Sequence, residues 1–426
     1  MKIIIDARFL GTPTGIGRYV ENLLLEMEKI VNSEVEPPSF SPDQNQGLQS
    51  ASRFDLKNIE FIVFVGMKGW DKWNPDNPKI TKKLVDVRWY TVAEQFALAR
   101  ALREENPDLV HFPHWNICYF WNGPFVVTIH DLILLEYPTR RASTLGAITY
   151  WIKYKILFPL ILRKAIYKSR KIIVPSNYTK QSILKYFSKV NPEKIEVIYE
   201  GAARIKNQEL RNKDYEANTI ISKIGNWKLE IGNYLLYVGN ALPHKNLEFL
   251  VRVFKKLKQS FVDSDNSDVL EFLGSRLKLV LVGEPSYFYE RLKKYVKSLG
   301  LENDIIFTGK ISDEELAVLY ENARVNVFPS LLEGFGLPPL EAMIAGVPVA
   351  AASTSCLPEI LGTAALYFDP KNENEATSKI KEILTNQNLR QDLVQKGYEQ
   401  VKRYDWKNMV EHTLEIYRLI DSLRRG

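Results

Sequence analysis

The stretch Val325-Asn326-Val327-Phe328-Pro329-Ser330-Leu331-Leu332-Glu333-Gly334-Phe335-Gly336-Leu337-Pro338-Pro339-Leu340-Glu341-Ala342-Met343-Ile344-Ala345-Gly346-Val347-Pro348-Val349 decides the fold. An apolar strand, Val325 to Phe328, leads into a glycine loop and then a helix start. Pro338 and Pro339 suit a first helical turn, where missing N–H groups cost nothing. Gly346 stands where a left-handed glycine ends a helix. Val347 to Ala351 reads as the next buried strand.

This arrangement leaves backbone amides near Gly334, Gly336 and Leu337 without intrahelical partners. Glycines let a ligand approach the backbone closely, and a helix N-terminus with free amides favours an anion, most often phosphate. Glu333 precedes the loop, and Glu341 is expected in the first turn of the helix. An ionised carboxylate only accepts hydrogen bonds, so beside a phosphate it suits hydroxyls. Phosphate plus hydroxyls means a sugar nucleotide. Plain α/β packing is the alternative, with Glu341 compensating the helix dipole. A capping box is excluded, because the Ser or Thr it needs is replaced by Pro338.

Taken whole, Glu333 and Glu341, separated by seven residues around Gly334-Phe335-Gly336-Leu337-Pro338, resemble the E-x7-E signature of retaining glycosyltransferases with two Rossmann-like domains. The closest group is the glycogen-synthase-like, mannosyltransferase-rich family 4. The resemblance covers nearly the whole chain. It implies an α/β fold of the GT-B type, two Rossmann-like domains facing across a cleft. The expected division is 1–205 as the acceptor-side domain, 206–230 as linker, 231–404 as the nucleotide-sugar domain, and 405–426 as a helix crossing back to the first domain.

Composition agrees with a soluble globular protein of two or three domains: 426 residues, 45% hydrophobic, 25% charged. A net charge of +6 is compatible with anionic substrates or a membrane surface and too weak to imply nucleic acid. Cys118 and Cys356 stand far apart, which suggests neither a disulfide framework nor a zinc site and fits a reducing compartment. The start, Met1 to Asp6, carries no secretory apolar core, and no run approaches the ~18–20 apolar residues that span a bilayer. A cytoplasmic protein, peripheral at the inner membrane face at most, is expected.

In chain order, Lys2 to Ala7 reads as a buried parallel strand, followed by Gly11-Thr12-Pro13-Thr14-Gly15-Ile16-Gly17-Arg18 and a helix from Tyr19 to Ile30. The loop is either a tight β–α turn or, by resemblance, the first cleft loop, with Gly15 and Gly17 near the donor. Residues 34–58 are polar and Pro/Ser/Gln-rich, an insertion or acceptor-side loop. Leu109 to Pro113 reads as a strand delivering His111 and His114 to a loop. The strand Pro124 to Ile129 ends in His130-Asp131, and ligands bind beyond the carboxyl ends of such strands. The resemblance places His130 close to the transferred sugar.

From Thr139 to Lys171 the chain is basic and aromatic with no Asp or Glu. Such a helix can lie on anionic lipid. Alternatively it packs Ile152, Ile156, Leu160 and Ile161 against the sheet, with a kink at Pro159. Ser176 suits an N-cap, and residues 207–228 suit a connection between domains.

The second half restarts with Tyr234 to Gly239 and then Asn240-Ala241-Leu242-Pro243-His244-Lys245. Lys245 offers a point charge to a diphosphate; a solvated surface lysine is the alternative. By resemblance Lys245 clamps the donor phosphates. Asn240 stands where relatives often carry Arg, so backbone amides or His244 would have to replace that contact. The nucleobase is expected against Lys310-Ile311. Asp263-Ser264-Asp265 has a metal-motif spacing but lies in a polar run away from a strand end, and no metal or other cofactor is expected.

The roles these readings imply are as follows. Glu341 accepts from ribose hydroxyls and Glu333 from donor-sugar hydroxyls. The amides of Gly336 and Leu337, within the loop Gly334-Phe335-Gly336-Leu337, bind the diphosphate with Lys245. His130 positions the sugar, and domain closure expels water. The reaction is hexose transfer from a nucleoside diphosphate sugar to a sugar or lipid-linked acceptor hydroxyl, with retention. No carboxylate nucleophile is identified; front-face displacement is the family's usual proposal. The His-Lys-Asn and Gly-Ile-Gly-Arg stretches look similar to O-antigen and exopolysaccharide mannosyltransferases, which favours GDP-mannose over UDP-glucose. A sugar-nucleotide epimerase and a catalytically silent nucleotide-sugar-binding protein are the readings from other classes.

Overall fold

The computed structural model describes residues 1–12, 14–33, 59–138, 152–202, 233–262 and 276–425. Its described strands form two sheets, parallel throughout. The first has the order β3-β2-β1-β4-β5-β6-β7, with β1 Lys2–Asp6, β2 Glu60–Val65, β3 Ile80–Leu84, β4 Leu109–Phe112, β5 Phe125–Thr128, β6 Lys171–Val174 and β7 Ile195–Val197. The second has the order β10-β9-β8-β11-β12-β13, with β8 Tyr234–Val238, β9 Lys278–Val282, β10 Ile305–Gly309, β11 Val325–Phe328, β12 Val349–Ala352 and β13 Ala365–Phe368.

The strands read as unbroken apolar runs because helices cover both faces of each sheet. Ile3, Ile4 and Ile5 of β1 are wholly buried, as are Leu235 and Leu236 of β8. Register follows from burial: Ile4 lies opposite Ile62 on β2 and Val110 on β4. In each sheet the order reverses once, between β1 and β4 and between β8 and β11. Beyond the carboxyl ends at such a reversal two loops diverge and leave a crevice for a ligand.

The chain divides into two compact units, Met1–Leu132 with Ser143–Gly201 and Asp405–Gly426, and Ile133–Ala142 with Ala202–Tyr404. The last helix, Trp406–Arg425, therefore belongs to the first unit although it follows the second in sequence. Its Tyr417 hydroxyl lies 2.6 Å from His111 Nδ1, and its Arg424 pairs with Asp108. Trp406 packs on Gly201, where a Cβ would stand 2.3 Å from the indole.

Several local expectations shift. The first helix is Gly15–Asn32, not Tyr19 to Ile30, because Thr14 caps it by accepting from Gly17 N at 3.1 Å. The basic segment is a π-helical turn, Ile152–Leu157, followed by an α-helix, Phe158–Lys168. Pro159 sits in the first turn of that α-helix, where no N–H is needed, rather than kinking a longer one. Phe158, Leu162, Ala165 and Ile166 face inward, whereas Ile156 and Leu160 face solvent. The insertion at 34–58, residues 139–151, the connection at 207–228 and Asp263-Ser264-Asp265 lie outside the described residues. Among the described residues no helix is long and apolar enough to cross a membrane.

Candidate active site

In the second unit the loops after β8 and β11 meet at the sheet's reversal. Leu331 N donates to His244 O at 2.7 Å, and Asn246 Nδ2 reaches Pro329 O at 3.3 Å and Pro370 O at 2.9 Å. Stitched in this way, the loops face Lys245 with Glu333. Lys245 Nζ donates to both oxygens of Glu333, at 2.6 and 2.8 Å, with the two side chains 13% and 9% exposed. A buried ammonium is tolerated because the carboxylate beside it neutralises it. Glu333 N is held by Ser355 Oγ at 3.1 Å.

The helix beyond this pair is Leu337–Ile344. Gly336 caps it in a left-handed conformation, φ 99°, and no side chain caps its amides. A Cβ at Gly336 would be strained, so glycine is required there. The helix begins at Leu337, which puts Glu341 in the second turn rather than the first. Glu341 is buried, and its Oε2 accepts from the Tyr320 hydroxyl at 3.0 Å. The Phe335 ring is buried against Tyr404, centroids 5.4 Å apart. Gly346 ends the segment at φ 75°.

Lys310 and Ile311 follow β10, the edge strand, on the same carboxyl side of the sheet. Lys310 is mostly exposed and lies 3.5 Å from Glu284, a surface pair of little energetic weight. His244 is buried and its pKa is pushed down to about 4, first by burial and then by the Lys245 charge. It is therefore neutral at pH 7 and supplies no second positive charge in place of the arginine absent at Asn240. Its Nδ1 has no hydrogen-bond partner.

In the first unit His130 follows β5. Its Nδ1 lies 2.8 Å from Glu200 Oε1, and its Nε2 lies 2.9 Å from the Pro113 carbonyl. The Tyr19 ring meets it edge-on at 4.7 Å. Burial acts to lower the His130 pKa, but Glu200 and the Pro113 carbonyl outweigh it and hold the imidazole above its ordinary value. Gly15 and Gly17 open the first helix. The expectation that a strand end delivers His111 and His114 to a loop holds for His114, which follows β4, and is corrected for His111. His111 is inside β4, wholly buried between Tyr417 and Thr128 Oγ1 (2.8 Å), with its pKa pushed down to about 3 by burial. His114 is buried as well, and its Nδ1 accepts from Asn116 N at 3.2 Å.

Two family models divide this chain. Glycosyltransferase Family 4 matches residues 13–203, and Glycosyl transferases group 1 matches residues 223–400. The chain belongs to the family 4, group 1 glycosyltransferases. It is 29% identical over 333 residues to the O-antigen chain mannosyltransferase RfbU of Salmonella typhimurium, covering 78% of this chain and 80% of that one. It is 26% identical over 433 residues to the O-antigen chain mannosyltransferase B of Escherichia coli, covering 99% and 100%. Among solved structures, sucrose-phosphate synthase from Thermosynechococcus elongatus superposes with a TM-score of 0.68 at 18% identity, covering 99% of both chains. Anabaena HepE gives 0.66 at 17%, covering 98% and 99%. These likenesses establish the GT-B fold.

Within this glycosyltransferase, Lys245, Glu333, Gly334, Phe335, Gly336, Leu337 and Glu341 come together around the β8–β11 reversal, with Lys310 and Ile311 on the same carboxyl side of the sheet. Gly15, Gly17 and His130 belong to the other unit. Sequence reasoning missed three partners: Glu200 for His130, Tyr320 for Glu341 and Ser355 for Glu333. Each is distant in sequence from the group it holds. Glu200 alone left a signal, as an acidic residue three positions after β7.

Proposed function

We propose that this glycosyltransferase transfers mannose from GDP-mannose to an acceptor hydroxyl, with retention, in the synthesis of a cell-surface polysaccharide. The Lys245–Glu333 pair beside a helix start without a side-chain cap carries the reading. The pair is neutral by itself, so an arriving donor can exchange with it without leaving a bare charge. Lys245 and the amides of Gly336 and Leu337 turn to the diphosphate and meet the charge that grows on it as the sugar leaves. Glu333 accepts from the sugar hydroxyls and Glu341 from the ribose. The base lies against Lys310-Ile311, and His130 positions the transferred hexose. Gly15 and Gly17, at the start of the first helix, are the first unit's candidates for donor contact.

Written this way, the chain's own positive groups stabilise the leaving diphosphate, and the reaction uses no metal. The acceptor is a sugar hydroxyl, free or lipid-linked. The mannosyl reading is supported by the O-antigen mannosyltransferases of Salmonella and Escherichia coli. Two free, buried cysteines fit work in the cytoplasm.

The test is calorimetry with GDP-mannose, UDP-glucose and UDP-N-acetylglucosamine, followed by NMR of the product's anomeric centre. The expected result is one strong binder, GDP-mannose, and an α-linked product. A UDP-glucose preference would replace the donor. Epimerised nucleotide sugar without acceptor would convert the reading to an epimerase. Binding without release of nucleotide from the sugar would leave a silent binding protein. An inverted product would remove retention.

A further inference from the structure

The helix Val92–Glu105 is inside out over its first two turns. Glu94 and Gln95 are buried, while Val92, Ala93, Phe96 and Ala97 face solvent, Val92 and Phe96 at 63% and 61% exposure. A surface helix ordinarily does the reverse. Glu94 is drawn inward by Arg8 Nη2 at 2.8 Å and Asn116 Nδ2 at 2.9 Å, and Gln95 by the amide of Tyr119 at 2.5 Å. Their burial turns the apolar side outward.

The apolar surface continues onto other elements. The Phe96 ring lies 4.9 Å from Phe120, Phe120 lies 5.7 Å from Tyr119, and Lys164 Nζ lies 5.1 Å over the Tyr119 ring. Lys164 sits on the helix Phe158–Lys168, one turn after Leu160, which is 46% exposed. Ile156 and Tyr167 are exposed on this segment too. Lys155, Arg163 and Lys168 stand exposed among them, with no Asp or Glu between residues 139 and 171. Single exposed apolar side chains are ordinary; a connected set spanning three elements is a docking surface.

Charge selects its occupant. In a two-fold pairing of copies, Arg163, Lys164 and Lys168 would meet their own images. Anionic headgroups accept those cations, and the membrane interface takes aromatic and aliphatic side chains. We propose that this face docks the protein on an anionic lipid bilayer, with Phe96, Phe120 and Leu160 entering the interface and Arg163 and Lys168 on the headgroups. Docking of this kind is independent of which sugar nucleotide the site takes.

The full chain is co-sedimented with vesicles of phosphatidylcholine alone and of phosphatidylcholine with phosphatidylglycerol, at low and raised salt. Binding is expected with phosphatidylglycerol only, weakening as salt rises. Arg163→Gln with Lys168→Gln lowers the partition coefficient about 25-fold, roughly fivefold per charge. Phe96→Ser with Phe120→Ser lowers it about tenfold or more. These side chains are exposed, so thermal unfolding and nucleotide-sugar calorimetry stay at wild-type values in both variants. Failure to bind phosphatidylglycerol vesicles at low salt overturns the proposal, as does equal binding to phosphatidylcholine or wild-type binding by both variants. A dimer that Phe96→Ser dissociates, without vesicle binding, reassigns the face to a second copy.

Discussion

The protein builds the same local unit twice, strand, glycine loop, helix, and completes it differently. After β1 the helix start is closed by the chain itself: Thr14 Oγ1 takes the Gly17 amide, and Thr12 O packs so tightly on Gly17 that a Cβ there would stand 2.1 Å away. After β11 the helix start has a left-handed glycine, two prolines and no side-chain cap. The charged pairs divide in the same way. In the first unit Arg8 is held through Nε and Nη2 by Asp6, at 2.6 and 2.8 Å, and by Glu94, and His130 is held on both ring nitrogens. In the second, Lys245 and Glu333 hold each other. A pair that relies on itself can trade partners with a ligand, whereas a group held by several partners at once resists exchange. Equal glycine loops thus teach nothing about binding until their caps are known.

The comparison breaks first at Lys245. Lys245→Ala should lower kcat by about 10²–10³-fold, the usual loss for a group that stabilises transition-state charge. Steady-state kinetics with unchanged turnover would strike Lys245 from the site. Next, Glu341→Ala should leave a folded protein with donor affinity and turnover down by about 10²-fold. Tyr320 keeps the Pro338 carbonyl as a partner, at 3.2 Å, so circular dichroism should stay native, and wild-type turnover would sink the assignment.

The glycines sharpen the contrast at lower energies. Gly336→Ala should destabilise by about 1–2 kcal/mol, because its φ of 99° opposes a Cβ. Gly15→Ala should be neutral or stabilising by about 0.5 kcal/mol, since its Cβ would meet nothing within 4 Å. Denaturant unfolding of the two variants reads the difference directly, and equal effects would erase it.

Titration of the first unit separates two histidines of opposite sign. The His130 pKa is raised in the folded protein. Its contribution is therefore complete below the ordinary histidine value near ~6.5 and fades as pH rises through the higher folded value. Glu200→Gln should remove that alkaline loss. The His111 pKa falls to about 3, so its contribution is present above ~6.5 and declines as pH falls toward 3. NMR titration of the two imidazoles checks both directions. The smallest effect expected is that of EDTA, which should leave turnover within about twofold if the diphosphate is met by Lys245 and helix amides. A larger, metal-reversible loss would restore a cation to the reaction.

The segments that were legible in the sequence are those whose signal is local. Runs such as Lys2–Asp6 and Val325–Phe328 announce strands covered on both faces, and Pro338, Pro339 and Gly346 announce the limits of a helix. The spacing of Glu333 and Glu341 around glycines carried the resemblance to a glycosyltransferase family, and the two family matches place the chain among glycosyltransferases. Illegible were the groups whose role depends on a neighbour brought from far along the chain. His111 read as a loop residue until Tyr417, 306 positions later, was found beside it. The inverted helix Val92–Glu105 shows no sign of inversion until Arg8 is seen to pull Glu94 inward.

By itself, then, the sequence determined the strands, the limits of the helix after β11 and the parallel α/β class, because periodicity, glycine and proline act within a few residues. Only the tertiary structure decided which charges share several partners, which histidine is neutral and which helix face looks outward. Those outcomes rest on desolvation and pairing between residues tens to hundreds of positions apart, and no local pattern carries that information.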